Sequence, residues 1–439
     1  MQHSPGLLPS SFVAGSARQG FDLARLLSVS EALATYFERV TLERPRVEEV
    51  SLDEAVGRVL ARDAVSLDDI PRHRRSFMDG YAVDSSAGSA PRRVVGDVLM
   101  GHAPPGAIEP AQAMRVPTGG AVPDGADTVV PQEDCDLTAA GEIVPREVPV
   151  AGDCISQQGE DIPRGETVLR AGRRIGAPEA GVLATLGIVR VPVFARPRVA
   201  IVSTGDELLD PGEALRDGCV RDSNRYAIAA TLAALGAQPV HVPRAPDRLE
   251  ALRAALQGAL ATCDALVSSG GSSVGEGDLV PQIARDLGGP GPIVHGLRVR
   301  PGKPTLLAAV GGKPVIGLPG NPTSSLMILE AVVRPIVQVL CGETPRPAAR
   351  MSALAAAPFA GREDWTWYVP ARLFARAGTI YAEPFTIRSS QTSLLARASG
   401  YVTVGDAMPH CDAGDRVDVS LFSCGGAPIE LGAIGEDAT

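Results

Sequence analysis

Residues 264–278 read Asp-Ala-Leu-Val-Ser-Ser-Gly-Gly-Ser-Ser-Val-Gly-Glu-Gly-Asp. Ala265 to Val267 is a short apolar run of the kind that forms a buried strand, and it breaks into Ser268-Ser269-Gly270-Gly271-Ser272-Ser273, where small residues leave backbone N–H groups free to surround an anion. Glu276 stands between Gly275 and Gly277. Asp278 falls where a helix over 279–287, ending at Gly288-Gly289, should begin, so its carboxylate is placed to cap that helix. Strand, cradle, acid and helix in this order suit a phosphate-bearing ligand.

The same alternation extends outward from this stretch. Val199 to Ser203 reads as a continuous apolar strand, Arg225 to Leu235 as a helix stopped by Gly236, and Pro239 to Val242 as a strand. Arg248 to Leu260 reads as a helix with Asp247 as its N-cap. Ile293 to Val299 and Val315 to Leu318 are strand-like, and a helix is predicted from Pro322 to Cys341. Strands alternating with helices over 195–343 predict a doubly wound, mostly parallel sheet, which binds ligands at the carboxyl ends of its strands. The loops there are Ser203-Thr204-Gly205-Asp206-Glu207-Leu208, the serine-glycine cradle, residues 298–304 (RVRPGKP) and residues 317–323 (GLPGNPT), with Arg221-Asp222-Ser223-Asn224 opening a helix.

Further out the texture changes. Residues 1–26 lack periodicity and read as a flexible arm. Capping-box spacings at Ser28–Glu31 and Ser51–Glu54 start two helices, which together with a helix from Pro178 to Leu186 and a strand over 189–194 predict a mixed domain built from 27–65 and 166–194. The region 66–165 has short apolar runs broken by proline and glycine and reads as an inserted β-rich module. It carries three polar turns, around Asp79, Thr118 and Asp161; each is also ordinary turn chemistry. Residues 344–425 read as a second small β domain, and 426–439 as a frayed tail. The class expected is a multidomain α/β chain.

Composition narrows the function. The chain has 439 residues, enough for about three domains, and a formal charge of −10. A surface of that sign does not attract nucleic acid or an anionic membrane, so an anionic ligand must be held by local groups. There is no apolar run of eighteen residues and no signal-peptide pattern, which leads to the expectation of a soluble, cytoplasmic protein. Seven scattered cysteines without C-x-x-C spacing predict reduced thiols. Arginine supplies nearly all the positive charge: the two lysines are Lys303 and Lys313, and the two asparagines Asn224 and Asn321. All four lie between 220 and 325. Lys303 therefore draws notice as a compact ammonium able to meet an oxyanion, Lys313 as a hairpin tip, and Arg298 and Arg300 as supporting charge. Glu207 and Asp278 after strand ends, Asp206 beside the first, and Asp247 and Asp222 opening helices in the same layer put carboxylates at the edge of a phosphate cradle, the oxygen ligands that Mg²⁺ takes. The residues alone lead to a Mg²⁺-assisted enzyme acting on a phosphate-bearing small molecule.

Eight motifs then carry a resemblance. SFMDGYAVD, PTGGAVPDGADTVVPQED, GEDIPRG, STGDEL, RDSN, SSGGSSVGEGD, RPGKP and GLPGNPTSS occur in the order and spacing of the molybdopterin molybdenumtransferases, the molybdenum insertases similar to MoeA and to the E domain of gephyrin. The likeness runs from about residue 28 to 425. It implies an elongated homodimer whose α/β domain is MogA-like and binds molybdopterin. The implied reaction is hydrolysis of adenylylated molybdopterin with Mg²⁺ and molybdate, placing molybdenum on the dithiolene sulfurs and releasing AMP. Transient contact with the adenylyltransferase and with apo molybdoenzymes is implied as well. The family's catalytic and metal groups fall on Asp79, Thr118, Asp161, Glu207, Asp247 and Asp278, with Glu207, Asp247 and Asp278 on the metal. Its pterin and nucleotide pocket falls on Asn224, Ser269, Gly270, Gly271, Ser272, Arg298, Arg300, Lys303, Pro319, Asn321 and Pro322. In relatives the β module of one subunit leans over the α/β domain of the other.

Two positions depart from the pattern. Many relatives carry a lysine four residues before the base that precedes Pro-Gly-Lys, where this chain has Gly296 after His295, and the base itself is Arg300. Ser272-Ser273 replaces a common Val-Ser pair. Other readings the sequence leaves open are a paralogue that handles tungstate or carries finished cofactor, and a gephyrin-like scaffold without catalysis.

Overall fold

The computed structural model describes residues 26–270, 279–362, 364–386, 391–405, 408 and 410–431. The chain forms two compact units, Glu48–Val193 and the remainder, Met1–Val47 with Phe194–Thr439.

The larger unit is built on a six-stranded sheet. Its strand order is Gln238–His241, Arg198–Ser203, Ala265–Ser269, Lys313–Leu318, Leu306–Val310, Pro290–His295. The first four strands run parallel, Leu306–Val310 runs against them, and Pro290–His295 pairs antiparallel with it at the edge. Ala265–Ser269 is buried at every position and Arg198–Ser203 at all but its first. Such strands are covered on both faces, which is why they read as unbroken apolar runs rather than as alternation. Helix Leu249–Thr262 packs against Leu279–Leu287, and helix Asn224–Ala234 against Pro322–Ile328. Leu252, Leu256, Val280 and Ile283 are fully buried in one core cluster with Leu266 and Val315, each contributing about 1.5–3 kcal/mol over an exposed position.

The strand Leu306–Val310 escaped the sequence reading. The last long helix continues from Pro322–Ile328 through a π-turn, Leu329–Val333, into Arg334–Leu340. Among the described residues it is the helix long and apolar enough to cross a membrane, but 72% of its most apolar window is buried inside the protein.

The first helix, Val29–Arg39, has its expected capping box: Glu31 N–H donates to Ser28 Oγ at 3.3 Å and Ser28 N–H to Glu31 Oε2 at 2.8 Å. It was expected in the first domain. Its contacts are instead with the α/β sheet, where it packs on Pro290–His295 and the Tyr36 hydroxyl donates to Ala308 O at 3.5 Å. Its apolar stripe had to be buried, and the outer antiparallel strand is what covers it.

The C-terminal sheet runs Val299–Arg300, Thr366–Arg376, Thr379–Pro384, Arg350–Ala355, Arg416–Leu421, Gly400–Val404, and the last of these pairs back onto Thr366–Arg376. That pairing closes five of the strands into a ring, with Val299–Arg300 and Glu430–Leu431 added to Thr366–Arg376 outside it. The tail is not frayed as expected up to Leu431: Ala427 N–H donates to Ala398 O at 2.9 Å, and Glu430–Leu431 pairs in parallel with Phe374–Ala375.

The smaller unit carries a second six-stranded sheet, in the order Thr128–Pro131, Gly80–Val83, Gln112–Val116, Arg92–Asp97, Glu142–Pro145, Cys135–Leu137. Beside it, Ala55, Leu60 and Ala64 share one core with Ile175, Leu183, Val191 and Val193. The Ser51–Glu54 capping box forms, but the helix it starts ends at Ala55 after one turn.

Candidate ligand site at the strand ends

Ser203, Ser269 and Leu318 lie side by side in register at the ends of three parallel strands, so the loops that follow them start at one level. Glycine lets those loops touch. Gly270 has φ +93°, and a Cβ there would lie 2.7 Å from the Thr204 carbonyl oxygen; one on Gly320 would lie 3.8 Å from Gly270 Cα. Backbone therefore meets backbone at the point where the chain passes from one side of the sheet to the other, the place where open α/β sheets take ligands.

Asn224 opens the helix above this seam. Its Nδ2 donates to Ser269 Oγ at 2.7 Å and to Gly320 O at 2.8 Å. A carbonyl can only accept, so the contact with Gly320 fixes which way the amide points. Asn224 is 7% exposed, and its Oδ1 is buried without a partner among the described residues, as is Ser203 Oγ. Buried acceptors left open in this way are costly unless something donates to them.

A second group of contacts holds the acids. The Thr204 hydroxyl donates to Asp247 Oδ1, and Asp247 N–H donates to Asp206 Oδ1 at 3.4 Å. The Asp247 carboxylate is thus taken up by a residue on the first strand end. It is not the N-cap expected of it: that position belongs to Arg248, with no side-chain cap bond. Glu207 is exposed in the turn after Gly205, its carboxylate folded back beside that glycine. Among the described residues no three acidic, histidine or cysteine side chains converge as a metal cluster. Asp278, the remaining predicted metal ligand, lies outside the described residues, as do Gly271 and Ser272.

Lys303 sits in a tightly closed loop. Its carbonyl accepts from Leu297 N–H and Thr305 N–H, both at 2.9 Å, while the Thr305 hydroxyl donates to Gly302 O at 2.6 Å. Gly302 has φ +108°, and a Cβ there would lie 2.2 Å from Ile328 of the π-helical segment's neighbouring turn. The two arginines before the lysine are engaged elsewhere: Arg298 pairs with Glu31 at 3.4 Å, and the Arg300 guanidinium lies 4.4 Å over the Trp367 ring. Pro319 is buried. Asn321 is extended (φ −68°, ψ 127°) and precedes Pro322 at the start of its helix. Lys313, at the turn expected of it, donates to Leu260 O at 2.6 Å near the end of another helix.

In the smaller unit Asp79 and Thr118 meet: Thr118 N–H donates to Asp79 Oδ1 at 2.6 Å. That amide, with the Thr118 side chain second, holds the Asp79 carboxyl below the usual range. Asp161 is exposed in a separate turn, its N–H donating to Ile70 O at 3.1 Å. Sequence reasoning passed over Thr204 and Gly320 as site residues. Only Thr204 had a signal, a hydroxyl beside a glycine at a strand end.

A doubly wound domain with glycine-lined strand ends, joined to a closed β domain and a β-rich unit, defines a multidomain ligand-binding α/β protein. Comparison with known proteins makes this specific. Residues 27–187 match the family described as "MoeA N-terminal region (domain I and II)", 200–339 a "Probable molybdopterin binding domain", and 352–422 the "MoeA C-terminal region (domain IV)". The chain is 32% identical over 389 residues to the molybdopterin molybdenumtransferase of Bacillus subtilis, covering 85% of this chain and 89% of that one. It is 32% identical over 383 residues to molybdopterin molybdenumtransferase 2 of Mycobacterium tuberculosis, covering 84% and 94%. A crystal structure of a MoeA protein of molybdopterin biosynthesis from Pyrococcus horikoshii superposes with a TM-score of 0.73 at 29% identity, over 90% of this chain and 99% of that one. The chain belongs to the molybdopterin molybdenumtransferase family, transferases of molybdenum cofactor biosynthesis.

Proposed function

We propose that this protein is a molybdenum insertase that hydrolyses adenylylated molybdopterin, transfers molybdate-derived molybdenum to the dithiolene and releases AMP, acting as a cytoplasmic homodimer. The observation that carries the reading is Asn224: its amide ties the ends of two strands together while its carbonyl oxygen is buried with no hydrogen-bond partner among the described residues, an acceptor that a ligand N–H or O–H would satisfy. A polar heterocycle with donors at its edge matches that acceptor in hydrogen bonding.

In this reading the backbone around Ser269, Gly270 and Gly320 receives the pterin or phosphate end, because glycine brings amides close without side chains in the way. Lys303 supplies a point charge for an oxyanion. The donor set Glu207 and Asp247 is all-oxygen and acidic, which fits Mg²⁺; when bound, that ion offsets phosphate charge as the phosphoanhydride is cleaved. Thr204 holds Asp247 in one rotamer, leaving the other carboxylate oxygen for that duty. Asp79, Thr118 and Asp161 are assigned to the same reaction through the family resemblance, with a second subunit as the expected source.

The test is incubation of purified protein with Mg²⁺, molybdate and adenylylated molybdopterin. AMP release, together with cofactor that reconstitutes an apo molybdoenzyme, is expected. Asp247→Asn should lower the AMP rate by roughly 10²-fold, the scale of losing one positioned electrostatic group. Neither product at saturating molybdate would leave a carrier or a scaffold as the reading to pursue.

A further inference from the structure

The loop that carries Lys303 is shared between two domains of the larger unit. Val299–Arg300 leaves the α/β domain and joins the C-terminal sheet as its outermost strand, with Val299 opposite Thr366 and Arg300 opposite Trp367 in parallel register. Thr366 N–H donates to Arg298 O at 2.9 Å. Arg300 then lays its guanidinium over the Trp367 ring, 4.4 Å from the centroid. Trp367 is itself half-buried and packs against the core of the C-terminal domain, so the ring is a fixed surface rather than a loose one. Three residues later comes Lys303, with Gly302 wedged against Ile328 on the opposite side. The lysine loop is thus gripped on the α/β side by the Gly302 contact and on the C-terminal side by the Arg300–Trp367 stack.

We infer that Trp367 is a positioning residue: through Arg300 it sets where Lys303 stands, and so makes oxyanion affinity in the α/β domain depend on the C-terminal domain. The physical reason is geometric. A guanidinium stacked on an aromatic face is held in plane and in distance. With Arg300 pinned, the short Pro301-Gly302 link leaves Lys303 little freedom, because proline fixes one φ and the Ile328 contact restrains the glycine. Without the aromatic face the strand pairing remains but the arginine is released. This inference rests on the reading of Lys303 as an oxyanion-holding group.

The experiment compares the full chain with Trp367→Phe, Trp367→Leu and Lys303→Ala. Two quantities are read: the dissociation constant for molybdate by calorimetry, and the AMP release rate at saturating molybdate. Loss of the stack should weaken molybdate binding roughly two- to fivefold, the factor that a half-exposed cation–π contact supports. Trp367→Leu is expected to show that loss with the saturated rate unchanged, and Trp367→Phe, which keeps an aromatic face, to restore affinity. In an Arg300→Ala background Trp367→Leu should have no further effect, since the two act as one unit; this arm decides the matter if the leucine variant is unstable on its own. A molybdate affinity that falls in Lys303→Ala but not in Trp367→Leu overturns the inference and keeps the lysine reading. An affinity unchanged in Lys303→Ala removes both.

Discussion

At the strand ends one side chain, Asn224, is committed at its nitrogen and, among the described residues, without a donor at its oxygen, and this asymmetry gives the site a direction. Lysine or arginine there could not accept from a ligand; aspartate could not donate to Gly320. Asp79 shows the reverse arrangement, a carboxylate already satisfied by a backbone amide. Because the Thr118 N–H holds its pKa below the ordinary value of 3.8, the charge is present above that value and is lost only as pH falls through the lower folded one. Asp79 should therefore stay ionised through the whole working range and impose no pH dependence of its own. Carbon-13 titration of its carboxyl should show a midpoint below 3.8. In Thr118→Ala the midpoint should move up only part of the way, since the amide remains. A midpoint at or above the ordinary value in the unaltered protein would show that this contact does not persist in solution.

Among the elements, the long helix over Pro322–Leu340 has the most to explain, for its π-turn places Glu330 where it is 4% exposed. Ser423 closes on that carboxylate from the C-terminal domain, with N–H to Oε1 at 3.0 Å and Oγ to Oε2 at 2.8 Å, and Arg334 lies 3.9 Å away. Burial raises the Glu330 pKa, against the opposing pull of Ser423 and Arg334. A raised carboxylate binds protons more tightly folded than unfolded, so stability falls as pH rises from the ordinary value near 4.5 through the folded one. Glu330→Gln should remove that slope, gaining on the parent as pH increases. Glu330→Ala should cost about 3–5 kcal/mol, because the half-buried Arg334 guanidinium keeps only its bond to the Ser423 hydroxyl and loses its counter-ion, while Ser423 N–H loses its acceptor. Thermal melts at pH 4 and pH 8 check both. Elements were legible where their signals were local: both capping boxes close over three residues, and buried parallel strands read as apolar runs. Contacts set by distant residues were not. Asp247 looked like a helix cap because the competing hydroxyl, Thr204, is 43 residues away. Leu306–Val310 hid because Leu-Leu-Ala-Ala-Val has no alternation and suits a helix as well as a strand. The amphipathic stripe of Val29–Arg39 announced burial but not against what.

For the whole molecule, the two units each possess cores of their own, Ala82, Met114 and Val129 in one and Leu252, Leu266 and Val315 in the other. Chains of this size with separate cores do not unfold as one cooperative block. Scanning calorimetry should resolve at least two transitions, and Glu330→Ala should lower one of them while leaving the other in place. A single transition shifted as a whole would mean that the units are thermodynamically fused. At this scale the motif order told most: the glycine and serine loops pointed to strand ends, and the rare asparagine and lysine to the groups placed there. Of the cradle, Ser268, Ser269 and Gly270 lie among the described residues, and of the predicted metal set Glu207 and Asp247 do.

The scarcity of lysine has a practical outcome. Reductive methylation with isotope-enriched formaldehyde labels primary amines, and a chain with only Lys303 and Lys313 offers two side chains and its N-terminus. Since Lys313 Nζ is bonded to the helix-end carbonyl of Leu260, the two lysyl methyl resonances should differ in shift and be assignable by a single substitution. Such a spectrum watches the RPGKP loop directly in a protein otherwise crowded with signals, with Lys313 as an internal reference that does not move.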